Sequence, residues 1–149
     1  MKSIFAASVL SLIALSSFAA NTVVSTPNAP SAIGPYSQAI SSQGFVFVSG
    51  QISIDPKTNT VQLFNGDIKK QTEQVLSNIN AILTAAGCAK TDVVKTTILL
   101  SSISDFDAVN AVYGEFFGDH KPARATYQVA ALPKGANVEI EAVAGCARK

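Results

Sequence analysis

Arg124 opens a run, Pro122-Ala123-Arg124-Ala125-Thr126-Tyr127-Gln128-Val129, that alternates like a strand. Leu132-Pro133-Lys134-Gly135 turns the chain, and Val138-Glu139-Ile140-Glu141-Ala142 alternates again. Among eleven basic residues there are only two arginines, and the other, Arg148, is next to last. A guanidinium fork suits a carboxylate through two parallel hydrogen bonds, and a glutamate on the following strand suits a water molecule or a proton. Two readings are open: a small pocket shared by both groups, or a surface Arg–Glu pair across strands, worth about 0–1 kcal/mol. Glu139 and Glu141 share one strand face by the period of two, so the pattern leaves open which of them would act.

Other polar residues join this candidate site, each with a plainer alternative. Tyr36 follows Gly34-Pro35 and reads as a substrate contact or a half-buried loop aromatic. Ser49-Gly50 reads as part of the site or simply as a strand end, and Asn110 as a site residue or a polar residue on an exposed helix face. His120 is the only histidine, and Asp119 and Lys121 beside it suggest a solvated turn. One histidine and two scattered cysteines make no credible zinc cluster. The chain has no G-x-x-x-x-G-K-[ST] or G-x-G-x-x-G run for phosphates and no G-x-S-x-G elbow for a nucleophilic serine. What remains is a site without metal or cofactor.

The elements that must position these residues are legible from periodicity. Thr22 to Ser25, Ser37 to Ser42 and Phe45 to Gly50 read as short strands, the last two joined by a Gln43-Gly44 hairpin. Asp55 to Asn59 reads as a turn. Ile68, Val75, Leu76, Ile79, Ile82, Leu83 and Ala86 follow helical spacing from Asp67 to Ala86, with Gly87 as the C-terminal cap. Val93 to Leu100, apolar and β-branched, reads as a central strand. Asp105 to Phe117 returns to helical spacing, capped by Ser104 or Asp105. The order β-β-β-α-β-α-β-β predicts an α+β domain: a single mixed sheet with two helices on one face.

Composition agrees with one compact domain, since 48% of the 149 residues are hydrophobic and 14% are charged. A formal net charge of +1 and the absence of tryptophan argue against a general nucleic-acid binder. Residues 1–19 read as a secretory signal peptide: Lys2, an apolar stretch from Ile4 to Leu15, and Ser17-Phe18-Ala19 before the cut. The stretch is shorter than the ~20 residues a membrane span needs, so no membrane attachment is expected after cleavage. A mitochondrial presequence would carry arginines, and the first one here is Arg124. The expectation is export, to the periplasm or beyond. In such a compartment Cys88 and Cys146 form a disulfide or remain two unrelated thiols; spacing does not decide.

Taken together, Ile33-Gly34-Pro35-Tyr36-Ser37-Gln38-Ala39, Phe47-Val48-Ser49-Gly50-Gln51-Ile52, Val94-Lys95-Thr96-Thr97, Phe106 with Val109-Asn110, Pro122-Ala123-Arg124 and Val138-Glu139-Ile140-Glu141-Ala142 stand in an order that closely resembles the RidA (YjgF) family of imine deaminases. The resemblance runs from about Val24 to Ala144, within a domain expected over 20–149. It implies a chorismate-mutase-like fold, a homotrimer with sites between subunits, and no cofactor. It also implies hydrolysis of 2-iminopropanoate or 2-iminobutanoate to a 2-oxo acid and ammonia. On that resemblance Arg124 holds the substrate carboxylate, Glu139 rather than Glu141 handles water and protons, and Tyr36, Ser49, Gly50 and Asn110 orient the substrate. Many members carry cysteine two residues after the arginine, where this chain has Thr126, so thiol chemistry is excluded there. Other implied roles are a ligand- or protein-binding relative without catalysis, and a translation-inhibiting, ribonuclease-like relative.

Overall fold

The computed structural model describes residues 20–146. The expected signal peptide, residues 1–19, lies outside the described residues, as does Arg148. Ten elements follow in order: β1 (Thr22–Val24), β2 (Ala39–Ser42), β3 (Phe45–Gln51), β4 (Ile54–Asp55), β5 (Thr60–Val61), α1 (Ile68–Ala85), β6 (Val93–Leu100), α2 (Phe106–Phe117), β7 (Ala123–Gln128) and β8 (Val138–Gly145).

Six strands form one sheet in the order β1-β2-β3-β8-β6-β7, and β4 with β5 makes a small separate ribbon. All neighbours in the large sheet run antiparallel except β6 and β7, which are parallel and linked through α2. The fold class is therefore α+β, with a mixed sheet and two helices. One feature of the expected hairpin is corrected. β7 and β8 run in opposite directions but are not neighbours, because β6 lies between them and bonds to both. A largely apolar, β-branched strand, with Lys95 its only charge, suits a position inside the sheet, where β6 lies.

α1 begins at Asp67, whose carboxylate accepts from the backbone N–H groups of Lys69 and Lys70. Gly87, at a φ of 77° that side-chain-bearing residues avoid, turns the chain away after the helix. The helix buries Val75, Leu76, Ile79, Ile82 and Leu83 against Val46 and Val48 of β3 and Val138, Ile140, Ala142 and Ala144 of β8. α2 adds Val109, Val112, Tyr113 and Phe117 to the same core. Opposite parities of the strands leave the second sheet face uncovered by helices, with Phe45, Phe47, Val94 and Tyr127 exposed on it. The two helices thus cover only one side of the sheet.

Two features pin the last strand. Buried Gln71 of α1 donates to the Asn137 side chain (2.8 Å) and accepts from the Asn137 backbone N–H (3.0 Å), fixing the residue that precedes β8. At the other end, Cys146 just past β8 is joined by a disulfide to Cys88 beyond α1, with Cα atoms 5.6 Å apart. Helix and strand are thereby tied at both ends.

Candidate active site

Glu139 projects from β8 onto the open sheet face, in register with Leu99 of β6. It is half-buried at the edge of a cavity of about 350 Å³ whose walls include Pro30, Ile33, Tyr36, Ser49, Gly50 and Ile52. Burial raises the carboxyl above the ordinary glutamate range, and the like charge of Glu141 raises it further. Glu141, two residues on, is exposed on the same face.

Gly50 sits in a bulge where the β3–β8 register shifts between Val48 and Gln51. A Cβ there would lie 2.0 Å from Glu139 Oε1 and 2.9 Å from its carboxyl carbon. Glycine is therefore required for the carboxylate to rest against β3. Ser49 lines the same cavity, but its hydroxyl donates to the Ser37 carbonyl at 2.7 Å, clipping the preceding loop to β3. Tyr36 is 46% exposed, and its hydroxyl accepts from the Ile33 N–H at 3.3 Å. Gln38 underlies the cavity wall: its amide nitrogen reaches the carbonyls of Thr26, Ala29 and Pro30, and its oxygen accepts from the Thr26 N–H.

Arg124 lies elsewhere. It pairs in register with Thr96, whose side chain faces the helices, whereas Glu139 pairs with Leu99 on the other parity. The guanidinium carbon stands 4.9 Å from the Tyr113 ring centre and 5.7 Å from that of Phe106, both on α2. With Asn110, His120, Lys121 and Pro122 it lines a second cavity of about 410 Å³. Among the described residues Arg124 pairs with no carboxylate; the one ion pair there is Lys70–Asp67 at 4.0 Å. The surface Arg–Glu pair is thus overturned: β6 separates the strands and the side chains leave opposite faces. Two strand spacings amount to about 10 Å, and the register offset adds three residues, about 10 Å more.

The candidate residues therefore form two half-sites. Tyr36, Ser49, Gly50 and Glu139 share an acidic one, and Asn110 and Arg124 share a basic one. His120 is not the free turn histidine that its neighbours suggest. Its Nε2 is 2.6 Å from the Val93 carbonyl, holding the chain after α2 to β6. Two supporting residues escaped the sequence reading. Tyr113 was legible only as a core position of α2, although it stands three residues after Asn110 on one helix stripe. Gln38 stands in the motif from Ile33 to Ala39, but nothing in that motif shows that its side chain would bind the carbonyls of Thr26, Ala29 and Pro30.

A half-buried carboxyl of raised pKa is a group that can move a proton, and an arginine with no carboxylate partner among the described residues is one that can hold a small carboxylate. The chain belongs to the Endoribonuclease L-PSP family, whose family model matches residues 26–146, in agreement with its resemblance to RidA (YjgF) proteins. It is 53% identical over 122 residues to human 2-iminobutanoate/2-iminopropanoate deaminase, covering 82% of this chain and 88% of that protein. A Yersinia pestis structure of the conserved Rid protein family is 52% identical, with a TM-score of 0.81, covering 85% of this chain and 99% of that one. Escherichia coli TdcF with bound serine is 39% identical with a TM-score of 0.79, over 85% of this chain and 99% of that one.

Proposed function

We propose that this protein is a hydrolase that deaminates 2-iminopropanoate and 2-iminobutanoate to the 2-oxo acids and ammonia. The observation that carries the reading is the half-buried, hydrogen-bond-poor Glu139 carboxyl, raised toward neutrality in a cavity, on a chain about half identical to named deaminases. Arg124 grips the substrate carboxylate with its fork. Glu139 takes a proton from water as the oxygen attacks the imine carbon, and the C=N bond becomes a C–N single bond. Glu139 returns that proton to the nitrogen, giving the carbinolamine, then takes the hydroxyl proton and passes it to the nitrogen as the carbonyl forms and the C–N bond breaks to release ammonia. No metal or cofactor enters this scheme. Serine bound to TdcF is itself an amino acid with the carboxylate such a site requires.

Both half-sites act on one substrate only if a second copy brings Arg124 to Glu139, so the working form is an oligomer. A homotrimer is the stoichiometry implied by the family resemblance, and the exposed Phe45, Phe47, Val94 and Tyr127 on the uncovered face support burial against another copy. Export through residues 1–19 completes the reading, supported by the Cys88–Cys146 disulfide, which suits an oxidising compartment. Edman sequencing of protein from its host should start at Ala20 or a close neighbour; an intact Met1 would refute export.

The deciding assay couples an amino-acid oxidase, which makes the imine, to semicarbazide, which traps whatever survives. Mature protein should abolish trapping, and Arg124→Lys, which keeps charge but loses the fork, should cut kcat/KM about ten- to hundredfold. Unchanged trapping with wild-type protein would leave the ribonuclease-like and the purely binding readings. Cleavage of single-stranded RNA in parallel separates those two.

A further inference from the structure

Arg124 raises a physical problem that the deaminase reading does not address. A long side chain at the start of an edge strand, with no carboxylate partner among the described residues, has rotamer entropy to lose before it can grip a substrate at one angle. An acidic neighbour would hold it, but would also occupy the donors that the substrate needs. The structure holds it differently.

The guanidinium rests against two aromatic rings of α2, Tyr113 at 4.9 Å and Phe106 at 5.7 Å. Phe106, Asn110 and Tyr113 are spaced i, i+4, i+7, which puts them on one stripe of the helix facing β7. Ring faces attract the cation through their quadrupoles without accepting its N–H hydrogens in the plane of the fork. Tyr113 is only 7% exposed, so its ring is packed in place. Its hydroxyl forms a buried 2.7 Å hydrogen bond with Thr96 Oγ1. Thr96 is the residue of β6 that stands in register with Arg124 itself. Strand, ring and arginine are thus connected in one closed triangle: Arg124 to Thr96 through the sheet, Thr96 to Tyr113 through the hydroxyls, and Tyr113 back to Arg124 through the ring.

We infer that Tyr113 is the positioning residue for substrate carboxylate recognition: its ring, held by Thr96 and seconded by Phe106, orients the Arg124 fork while leaving its donors free. Tyr113 does not touch the substrate and acts only through Arg124. The inference rests on the deaminase reading, but it concerns the carboxylate end of the site and leaves the Glu139 chemistry untouched.

The test measures 2-oxobutanoate, the carboxylate product, by titration calorimetry, alongside imine turnover, with variants whose assembly matches wild type by light scattering. Tyr113→Leu should weaken 2-oxobutanoate and raise KM by about three- to thirtyfold, the range expected for a partly desolvated cation–π contact. kcat should stay within about threefold, and the acid limb of its pH profile, which belongs to Glu139, should not move. Tyr113→Phe combined with Thr96→Val keeps the ring and removes both hydroxyls together, so it should restore binding to within about threefold of wild type. Should Tyr113→Leu fail to assemble, Phe106→Leu removes the second, more accessible ring and should weaken 2-oxobutanoate about two- to fivefold. Wild-type turnover with 2-oxobutanoate binding unchanged by loss of either ring overturns the positioning role alone. A fall in kcat with unchanged KM also overturns it, since that marks Tyr113 as mere core packing. Wild-type protein that binds 2-oxobutanoate but turns over no imine overturns the deaminase reading alone, and one that does neither overturns both.

Discussion

At the scale of single residues, the proposed chemistry turns on a carboxyl whose pKa is raised above the ordinary glutamate range. Glu139 is raised first by burial and then by Glu141, so it releases a proton to solvent reluctantly and takes one from water readily. Between the unfolded and the raised folded pKa the native state holds more protons than the unfolded chain, so stability from this group falls as pH rises. The cost is complete above the folded pKa. Glu139→Gln removes it, and should melt above wild type at neutral pH while losing activity. Below about pH 4, where the wild-type carboxyl is protonated in both states, the two melting curves should converge. An equal offset at both pH values would disprove the shift. For activity, Glu141→Gln removes the like charge, lowers the Glu139 pKa and should displace the acid limb of kcat/KM to lower pH.

At the scale of elements, the β3 bulge decides where that carboxyl sits. The register shift between Val48 and Gln51 brings position 50 beside Glu139, and the absence of a side chain at Gly50 leaves the slot in which the carboxylate rests. The slot is tight enough that one methyl group suffices to close it, since the added Cβ would stand 2.0 Å from Oε1. Gly50→Ala should therefore push the carboxylate out of the cavity and reduce kcat at least tenfold, by misplacing the base by about an ångström. The melting temperature should change by only a few degrees, because the Gly50 backbone is not in the left-handed region. Near-normal kcat in Gly50→Ala would show that Glu139 adapts and that the slot is dispensable. α1 contributes from the opposite side: Gln71 grips Asn137 and the disulfide anchors the far end of β8, so the strand that carries Glu139 is held at both ends.

At the scale of the whole molecule, the two half-sites are the organising fact. They lie on opposite faces of one sheet with β6 between their strands, so intrachain motion of side chains cannot join them. Joining copies can. Arg124→Ala, which removes both charge and fork, and Glu139→Gln homo-oligomers should each be nearly inactive. Mixed after dissociation and reassembly, they should regain activity, because some interfaces then pair a native Arg124 with a native Glu139. For a trimer assembled at random from equal parts, about a quarter of the interfaces are fully native on this counting, so roughly a quarter of wild-type activity is expected. Mixtures no more active than their components would sink the shared site. Light scattering on the same samples reports the number of chains.

Much of this protein was legible in its sequence, for reasons that are local. Hydrophobic periodicity gave helices from Asp67 to Ala86 and from Asp105 to Phe117 and a strand from Val93 to Leu100, each within a residue of α1, α2 and β6, because each must bury one face or both and its residues say which. The ordered motifs named the family, and residue type alone marked Arg124, with Glu139 or Glu141, as groups able to hold a carboxylate and move a proton. Sequence could not reveal that a crossover through α2 places β6 between β7 and β8. Strand adjacency is set by how three elements pack together, and no turn motif such as Leu132-Pro133-Lys134-Gly135 encodes a third strand between the two it connects. Nor could it separate Glu139 from Glu141, which share a strand face and differ only in which neighbours desolvate them. The Arg124–Tyr113–Thr96 triangle spans three elements, and its members are ordinary core or strand residues until tertiary packing brings them within reach of one another.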